Sequence, residues 1–221
     1  WDEEYIMKYK EIYKNYESNY DQFGDTPMGV GWTKEEDCNV RFKVMSEVFG
    51  SLGSKVSVLD FGCGLSHFYK YLINENLSNK VEYIGLDISE KYIEKSKIKY
   101  PDNCYYCRDI LKEGFDFDFD FDYAVLNGVF TQKFSLSQDE MFEFFKSIIK
   151  KVYHSCEKGI AFNVMSDCVD FKKDGAFHLP LSELCDFIVS DLTRDFVVRH
   201  DYGLFEYTVY VFKKKRLEWK M

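Results

Sequence analysis

The sequence contains little proline and no long apolar segment. Only 3 of its 221 residues are proline, and no run of about 18 apolar residues occurs, so we do not expect a membrane-spanning helix. The first ten residues, WDEEYIMKYK, lack the apolar stretch of a signal peptide and do not begin with Met, which suggests a processed start. The sequence therefore predicts no membrane partner.

Positive charge is also scarce. The formal net charge is −9, whereas a nucleic-acid-binding protein needs a basic surface to neutralise phosphates. The one dense basic run, from Lys213 to Arg216, follows the last predicted strand, and we interpret residues 214–221 as a solvated basic tail. The alternative is a basic binding patch. On balance the sequence predicts no nucleic-acid partner.

The cysteines form no recognisable metal or disulfide framework. There are seven, an odd number, scattered along the chain, which predicts reduced thiols in a cytoplasmic protein. Cys104 and Cys107 lie three apart on a predicted strand, so their side chains face opposite sides.

The segment FDFDFDFD at 115–122 could align carboxylates around a cation, but we favour Phe packed inward and Asp in water. We predict no metal site.

What the chain does contain is enough apolar material for one sizeable core, since 46% of its residues are hydrophobic. Short β-branched runs alternate with helical patterns, which predicts a doubly wound α/β fold. We expect a seven-stranded, mostly parallel sheet that ends in an antiparallel hairpin turning at residues 201–203. The predicted strands are 56–60, 81–87, 103–107, 121–127, 159–165, 195–201 and 205–212. The predicted helices are 3–19, 34–49, 66–76, 89–99, 137–155 and 180–191.

We predict two domains of unequal size followed by a tail. Residues 1–53 are predicted to form an N-terminal helical cap that contributes to the active site, and residues 54–213 the main domain. Ser89 and Ser137 are the predicted N-caps of two helices, because serine hydroxyls accept bonds from the first turn. We expect a monomer or a homodimer.

The most informative segment is VSVLDFGCGLS at residues 56–66. A strand ends in Asp60, a turn carries Gly62 and Gly64, and Ser66 is placed to cap a helix. Glycine lets a ligand approach the backbone closely, and open α/β sheets bind ligands at the carboxyl ends of their strands. The third glycine of a dinucleotide fingerprint is replaced by His67, which argues against a nicotinamide or flavin cofactor.

Two further acids follow the next two predicted strands. Asp87 ends VEYIGLD, 25 residues after Gly62, which is near the spacing of about 20 expected for a ribose-binding carboxylate. Asp109 follows CYYCR. As alternatives, Asp87 could cap a helix and Asp109 could be a turn residue.

With these motifs the chain resembles the class I S-adenosylmethionine-dependent methyltransferases over residues 30–212. The resemblance implies S-adenosylmethionine as the cofactor. It also implies that Asp60 and the turn with Gly62 and Gly64 hold the methionine part of the cofactor. The same resemblance implies that Asp87 holds the ribose and that Asp109 contacts adenine. The residues implied for the cofactor are Asp60, Gly62, Cys63, Gly64, Asp87, Ile88, Asp109, Ile110 and, beyond these motifs, Trp32, Arg41 and Asn127.

The fourth strand ends in YAVLNGVF, where the resemblance implies the methyl-transfer site. Asn127 is our candidate near the transferring methyl, and the alternative is an ordinary turn asparagine. The prolines of the Asn-Pro-Pro-Tyr motif found in DNA adenine methyltransferases are missing, which argues against that substrate. We add Phe130 and, at the end of the fifth strand, Asn163 as substrate-contact candidates.

A narrower resemblance links the chain to bacterial small-molecule methyltransferases. It rests on Gly31-Trp32, Arg41-Phe42 and the closing hairpin from Arg199 to Thr208. It implies that Trp32 covers the site and that Arg41 binds a carboxylate, the alternative being a core tryptophan and a surface arginine.

Acid–base candidates come from the loops near the last strands. His178 and His200 are the candidate catalytic bases. Arg199 and Tyr202 are the further substrate candidates.

The expected activity is therefore methyl transfer to an oxygen or nitrogen of a small polar or anionic metabolite. Surface-polysaccharide assembly, for example with a phosphoramidate, or secondary metabolism is the suggested context. The alternatives are a protein or nucleic-acid methyltransferase and a catalytically inactive cofactor-binding protein.

Overall fold

The computed structural model describes residues 3–32, 34–50 and 52–213 of the chain. Strands and helices alternate in these residues and form an α/β fold with one central sheet. The predicted tail at 214–221 lies outside the described residues. The predicted fold class is confirmed.

The sheet has eight strands in the described part of the chain, in the order β3-β2-β1-β4-β5-β8-β7, and β6 pairs with the end of β5. The first five strands in sequence and β6 pair in parallel, whereas β8 runs antiparallel between β5 and β7. The strands are β1 Val56–Phe61, β2 Val81–Asp87, β3 Cys104–Cys107, β4 Phe121–Phe130, β5 Cys156–Ser166, β6 His178–Leu179, β7 Phe196–Arg199 and β8 Glu206–Phe212.

Six α-helices pack around the sheet in the described residues. They are α1 Glu3–Phe23, α2 Glu35–Ser46, α3 His67–Asn74, α4 Glu90–Lys99, α5 Gln138–Ser155 and α6 Leu181–Asp191, with 3₁₀ turns at Met28–Val30, Glu47–Phe49 and Ser78–Lys80. Within the described residues, none of the helices is long and apolar enough to cross a membrane.

Helix α1 belongs to the main core although it precedes the first strand by more than thirty residues. Tyr5, Tyr9 and Ile12 are buried at helical spacing and join the same apolar cluster as Ile110 and Phe144. This packing lays α1 across the carboxyl edge of the sheet, where ligands bind in such folds.

Two of the three predicted serine caps are confirmed. Ser89 accepts a bond from the amide of Tyr92, and Ser137 forms a capping box with Glu140. The prediction for Ser66 is wrong, because its backbone is left-handed and no side-chain capping bond forms. Its hydroxyl instead donates to the hydroxyl of Tyr105, at 3.2 Å.

The Phe-Asp alternation leads into β4 as an irregular segment at residues 115–120. Its phenylalanines pack against the core and its aspartates are exposed, as predicted. Phe119 stacks on Tyr106 with the rings 4.3 Å apart, and Asp118 pairs with Arg108. Among the residues that the structure describes, no group of three or more metal-ligating side chains comes together.

Candidate active site

A cavity of about 180 Å³ opens at the carboxyl ends of β1 to β4. Parallel strands bring their C-terminal residues to one edge of the sheet, so residues distant in sequence meet there. The acids Asp60, Asp87 and Asp109 all line this cavity, and α1 forms part of its wall through Tyr9, Ile12, Tyr13 and Tyr16.

Asp60 is the last polar group of β1 and is buried, with 3% of its surface exposed. The hydroxyl of Tyr83 donates to its Oδ2 at 2.6 Å. Burial raises the pKa of Asp60 to about 7, despite the opposing effect of the Tyr83 bond, and the neighbouring Asp87 raises it further. A carboxyl group with this pKa changes its charge near neutral pH.

The turn after β1 adopts a conformation that favours glycine. Gly62 and Gly64 have φ values of 71° and 50°, which lie in the left-handed region. The amides of Gly62 and Cys63 donate to the carbonyl of Leu86, at 2.7 and 3.1 Å. The Cys63 amide is therefore already engaged in a backbone hydrogen bond of the fold. Its thiol is buried, and desolvation raises its pKa well above the ordinary value.

Asp87 ties the turns after β1 and β2 together. Its Oδ2 accepts the Gly64 amide at 2.9 Å, and its Oδ1 accepts the Ser89 amide at 2.8 Å. Burial still outweighs these bonds and raises its pKa to about 6. An ionised carboxylate has about four lone-pair sites, so each oxygen retains capacity for one ribose hydroxyl. Ser89, not Asp87, is the N-cap of α4.

Asp109 follows β3 and faces α1. The hydroxyl of Tyr9 donates to its Oδ2 at 2.9 Å, and the amide of Leu111 donates to its Oδ1 at 3.0 Å. Ile110 is buried and, like the half-buried Ile88, lines the cavity. Asp109 is therefore a turn residue and also lines the cavity.

Asn127 and Gly128 line the cavity at the end of β4. The Asn127 side-chain oxygen is buried and has no hydrogen-bond partner among the described residues. Gly128 has a φ of 79°, and a Cβ there would lie 2.4 Å from the Trp32 ring. A buried acceptor without a partner is costly, and this one belongs to a residue on the cavity wall.

Trp32 lines the cavity, whereas Arg41 does not. The Arg41 guanidinium lies 4.1 Å from the centre of the Trp32 ring, and its Nε donates to Glu206 Oε1 at 2.8 Å. Arg41 is therefore neither a surface residue nor free to bind the cofactor. This corrects the expectation that Arg41 binds a carboxylate of a ligand.

The two candidate bases lie away from the cavity lining. His178, expected in a loop, belongs to β6 and is buried. Its Nδ1 lies 2.6 Å from the carbonyl oxygen of Ser166, and the Lys173 amide donates to its Nε2 at 3.3 Å. Both ring nitrogens thus bond to the backbone, the first as donor and the second as acceptor. His200 is exposed and packs edge-on against Tyr207.

The four substrate candidates also lie outside the lining. Phe130 is fully buried against Phe145 and cannot reach a ligand without unpacking the core. Asn163 is buried and bonds Gly128 and Glu206.

The remaining two candidates lie near the hairpin. Arg199 pairs with Asp201 and Glu47. The hydroxyl of Tyr202 bonds that of Thr208 at 3.0 Å. Each of the four is engaged by the fold.

The sequence predicted that the N-terminal cap contributes to the site, but it named none of the α1 residues that do so, and it missed Glu206. Tyr9 bonds Asp109, and Glu17 accepts the hydroxyl of Ser89 beside Asp87. The tyrosines of α1 recur at positions 5, 9, 13 and 16, and this helical spacing was the available signal. No local pattern marks Glu206, because its partners come from α2 and β5.

The lining fits S-adenosylmethionine. Asp87 retains acceptor capacity for two hydroxyls, Asp109 lies among aromatic and aliphatic side chains, and the acid Asp60 suits a cationic ligand. Asn127 lies on the wall formed by β4.

The model of a family described as "methyltransferase domain" matches residues 52–191, which include the cavity residues of β1 to β4. The chain belongs to the class I S-adenosylmethionine-dependent methyltransferases. Its cofactor is S-adenosylmethionine, and it is an enzyme of that class.

Individual relatives agree with this assignment. The chain is 23% identical over 162 residues to the Mycobacterium tuberculosis protein Rv1506c, which carries a provisional methyltransferase name, and the match covers 71% of this chain and 93% of that one.

Solved structures share the fold of this methyltransferase. Magnesium protoporphyrin IX methyltransferase from Synechocystis, solved with bound cofactor, has a TM-score of 0.62 at 14% identity and covers 93% of this chain and 97% of its own. A plantazolicin methyltransferase in complex with S-adenosylhomocysteine has a TM-score of 0.59 at 15% identity, with coverage of 95% and 99%.

Proposed function

We propose that this methyltransferase transfers a methyl group to an oxygen or nitrogen of a small molecule. The observation that carries the proposal is a cavity of about 180 Å³ that Asn127 lines at the end of β4 and that α1 and Trp32 help to enclose. An enclosed cavity suits a small acceptor better than a polymer. The names of the similar structures, which act on magnesium protoporphyrin IX and plantazolicin, support the same class of substrate.

The expectation of an anionic acceptor loses its support in the geometry. It rested on Arg41, His178, Arg199 and His200, and none of these lines the cavity. Both arginines are ion-paired. Of the basic side chains that line the cavity, Arg108 is paired with Asp118, and His67 bonds Asp25 while burial lowers its pKa below the ordinary value.

Residues of the chain can promote the reaction mainly by alignment. The bound cofactor supplies a methyl group already activated by its positive sulfur. The protein then has to orient the acceptor and exclude water, and Asn127 is the group that we assign to acceptor orientation. His178 holds its Nδ1 proton on the Ser166 carbonyl, so we do not assign it the role of base. The role in surface-polysaccharide or secondary metabolism stays a prediction.

The test is methyl transfer from methyl-labelled cofactor into a bacterial cell extract. After incubation, ultrafiltration separates small molecules from protein and nucleic acid. After chromatography has separated the labelled cofactor from other small molecules, we expect labelled product in the filtrate with the natural enzyme and none with Asp87→Ala, which removes the carboxylate that we assign to the ribose. Label retained with RNA, DNA or protein would favour the polymer-modifying alternative. Tight cofactor binding without any transfer would favour the inactive binder.

A further inference from the structure

Five residues from five parts of the chain form a closed ring of contacts beside the cavity. Glu206 of β8 bonds Arg41 of α2, Arg41 covers Trp32, Trp32 lies against Gly128 of β4, and the Gly128 amide donates to Asn163 of β5. Asn163 closes the ring by donating to Glu206 at 2.8 Å. Two members of this ring, Trp32 and Gly128, line the cavity.

Glu206 is the anionic member of the ring and is 1% exposed. Arg41 and Asn163 both donate to its Oε1, each at 2.8 Å, whereas its Oε2 is buried without a partner in the described residues. A buried charge is retained only where it is compensated, and the compensation here is the Arg41 guanidinium. Glu206 therefore cancels the positive charge that would otherwise lie beside the cavity.

We propose that Glu206 is the positioning residue of the acceptor subsite and makes this subsite selective for an uncharged acceptor. Through Arg41 it holds the indole of Trp32, and through Asn163 it holds the Gly128 backbone next to Asn127. The subsite then presents an indole ring, the apolar Val129 and the uncharged amide residue Asn127. This chemistry fits an uncharged, largely apolar group that carries one O–H or N–H donor. The inference rests on the proposed function.

The fluorescence of Trp32 reports directly on the ring of contacts. The chain has 3 tryptophans, so Trp1→Phe with Trp219→Phe leaves Trp32 as the sole tryptophan emitter. In this background we expect Glu206→Gln to raise the acrylamide quenching constant about twofold, because an unpaired buried Arg41 leaves its place over the indole. The matched control is Glu82→Gln, which alters an exposed glutamate at the start of β2. It should leave quenching unchanged.

Cofactor affinity separates positioning from general damage. Glu206→Gln should change the dissociation constant of S-adenosylmethionine by less than about threefold, because the ring shares no member with Asp60, Asp87 or Asp109. Unchanged Trp32 quenching in a folded Glu206→Gln protein would overturn the positioning role. A parallel loss of cofactor affinity would also overturn it.

Selectivity is tested on the natural chain loaded with S-adenosylhomocysteine, so it does not depend on the variant folding. The probes are 4-hydroxybenzamide and 4-hydroxybenzoate, which share a ring and a hydroxyl donor and differ in one negative charge. Saturation-transfer NMR should show that the amide binds at least about tenfold more tightly, a difference typical of one unfavourable polar contact. The folded Glu206→Gln variant should lose this preference.

Tighter binding of the benzoate, or binding of neither probe, would overturn the selectivity. These results are distinct from failure of the proposed function. That failure would appear as a loss of cofactor binding by the natural chain, or as label transfer to polymers.

Discussion

The ionisation of Asp60 links cofactor affinity to pH in a way that can be measured. Burial raises the pKa of this carboxyl from 3.8 to about 7, and the bound cofactor carries positive charge. If only the ionised form binds, about 3% of the protein is competent at pH 5.5 and about 90% at pH 8, so the apparent dissociation constant should fall about 30-fold between these values. Calorimetric titrations with S-adenosylmethionine across this range test the prediction.

Asp60→Asn is the matched variant, because it keeps the shape and cannot ionise. Asp87, whose pKa is raised to about 6, contributes to the pH dependence of both proteins. The difference between them therefore reports Asp60 together with its coupling to Asp87. The variant should bind with the weaker affinity of the protonated natural protein and with a flatter pH profile. Parallel profiles for the two proteins would refute the assignment of Asp60 to the cationic part of the cofactor.

Stability without cofactor should depend on pH in the opposite direction. Folding raises the pKa of Asp60, so the protonated form favours the folded state. This contribution of Asp60 to the free energy of unfolding is fully present below about pH 4 and is lost as the pH rises through about 7. Over that window it amounts to at most about 4 kcal/mol. Urea denaturation of the natural chain and of Asp60→Asn, at both ends of the window, measures it.

Burial and contacts give three further predictions. Asp87→Ala should weaken S-adenosylmethionine binding in calorimetry by about 2–4 kcal/mol, since it removes the acceptor of two hydroxyl bonds. Phe130→Ala should lower the free energy of unfolding in urea by about 3–5 kcal/mol, because the side chain is fully buried. Gly128→Ala should raise the fluorescence quenching of Trp32, because its Cβ would lie 2.4 Å from that ring at a φ of 79°.

Each of these predictions has a control and a contrary result. For Asp87, the cofactor-free thermal transition shows whether the variant folds, and unchanged affinity would contradict the ribose assignment. For Phe130, Ile98→Ala is the control, because Ile98 is 76% exposed. An equal loss of unfolding free energy in Phe130→Ala and Ile98→Ala would contradict the core position of Phe130. For Gly128, Gly114→Ala controls for backbone strain, since it has a φ of 71° with open space around it. Equal quenching in both would contradict the contact with Trp32.

The meeting of the three strand-end acids at one cavity could be predicted because its signals are local. Asp60, Asp87 and Asp109 each follow an apolar run, and a parallel sheet with adjacent strands must bring such positions together. The turn glycines need positive φ, which the sequence marks by residue type. A short-range pattern and one rule of topology were sufficient for this half of the cavity.

The acceptor end could not be predicted in the same way. Arg41 looks like a free cation in sequence, and only its partner, 165 residues away, shows that its charge is cancelled. His178 looks like a mobile base, but pairing of β6 with β5 buries it. Phe130 follows the strand-end motif and yet points into the core. In each case a long-range contact decides the role, and no local periodicity records such contacts.

The position of β8 has a consequence for synthesis of the chain on the ribosome. Every strand-end acid of the cofactor site precedes residue 110, so these strands emerge early and pair with near neighbours. Glu206 emerges after the other members of its ring, and the wall that it organises stays open until then. Until β8 is made, the apolar edge of β5 has no partner on one side. The nascent protein thus passes through a stage at which an exposed strand edge can pair with other chains, and the emergence of β8 ends that exposure.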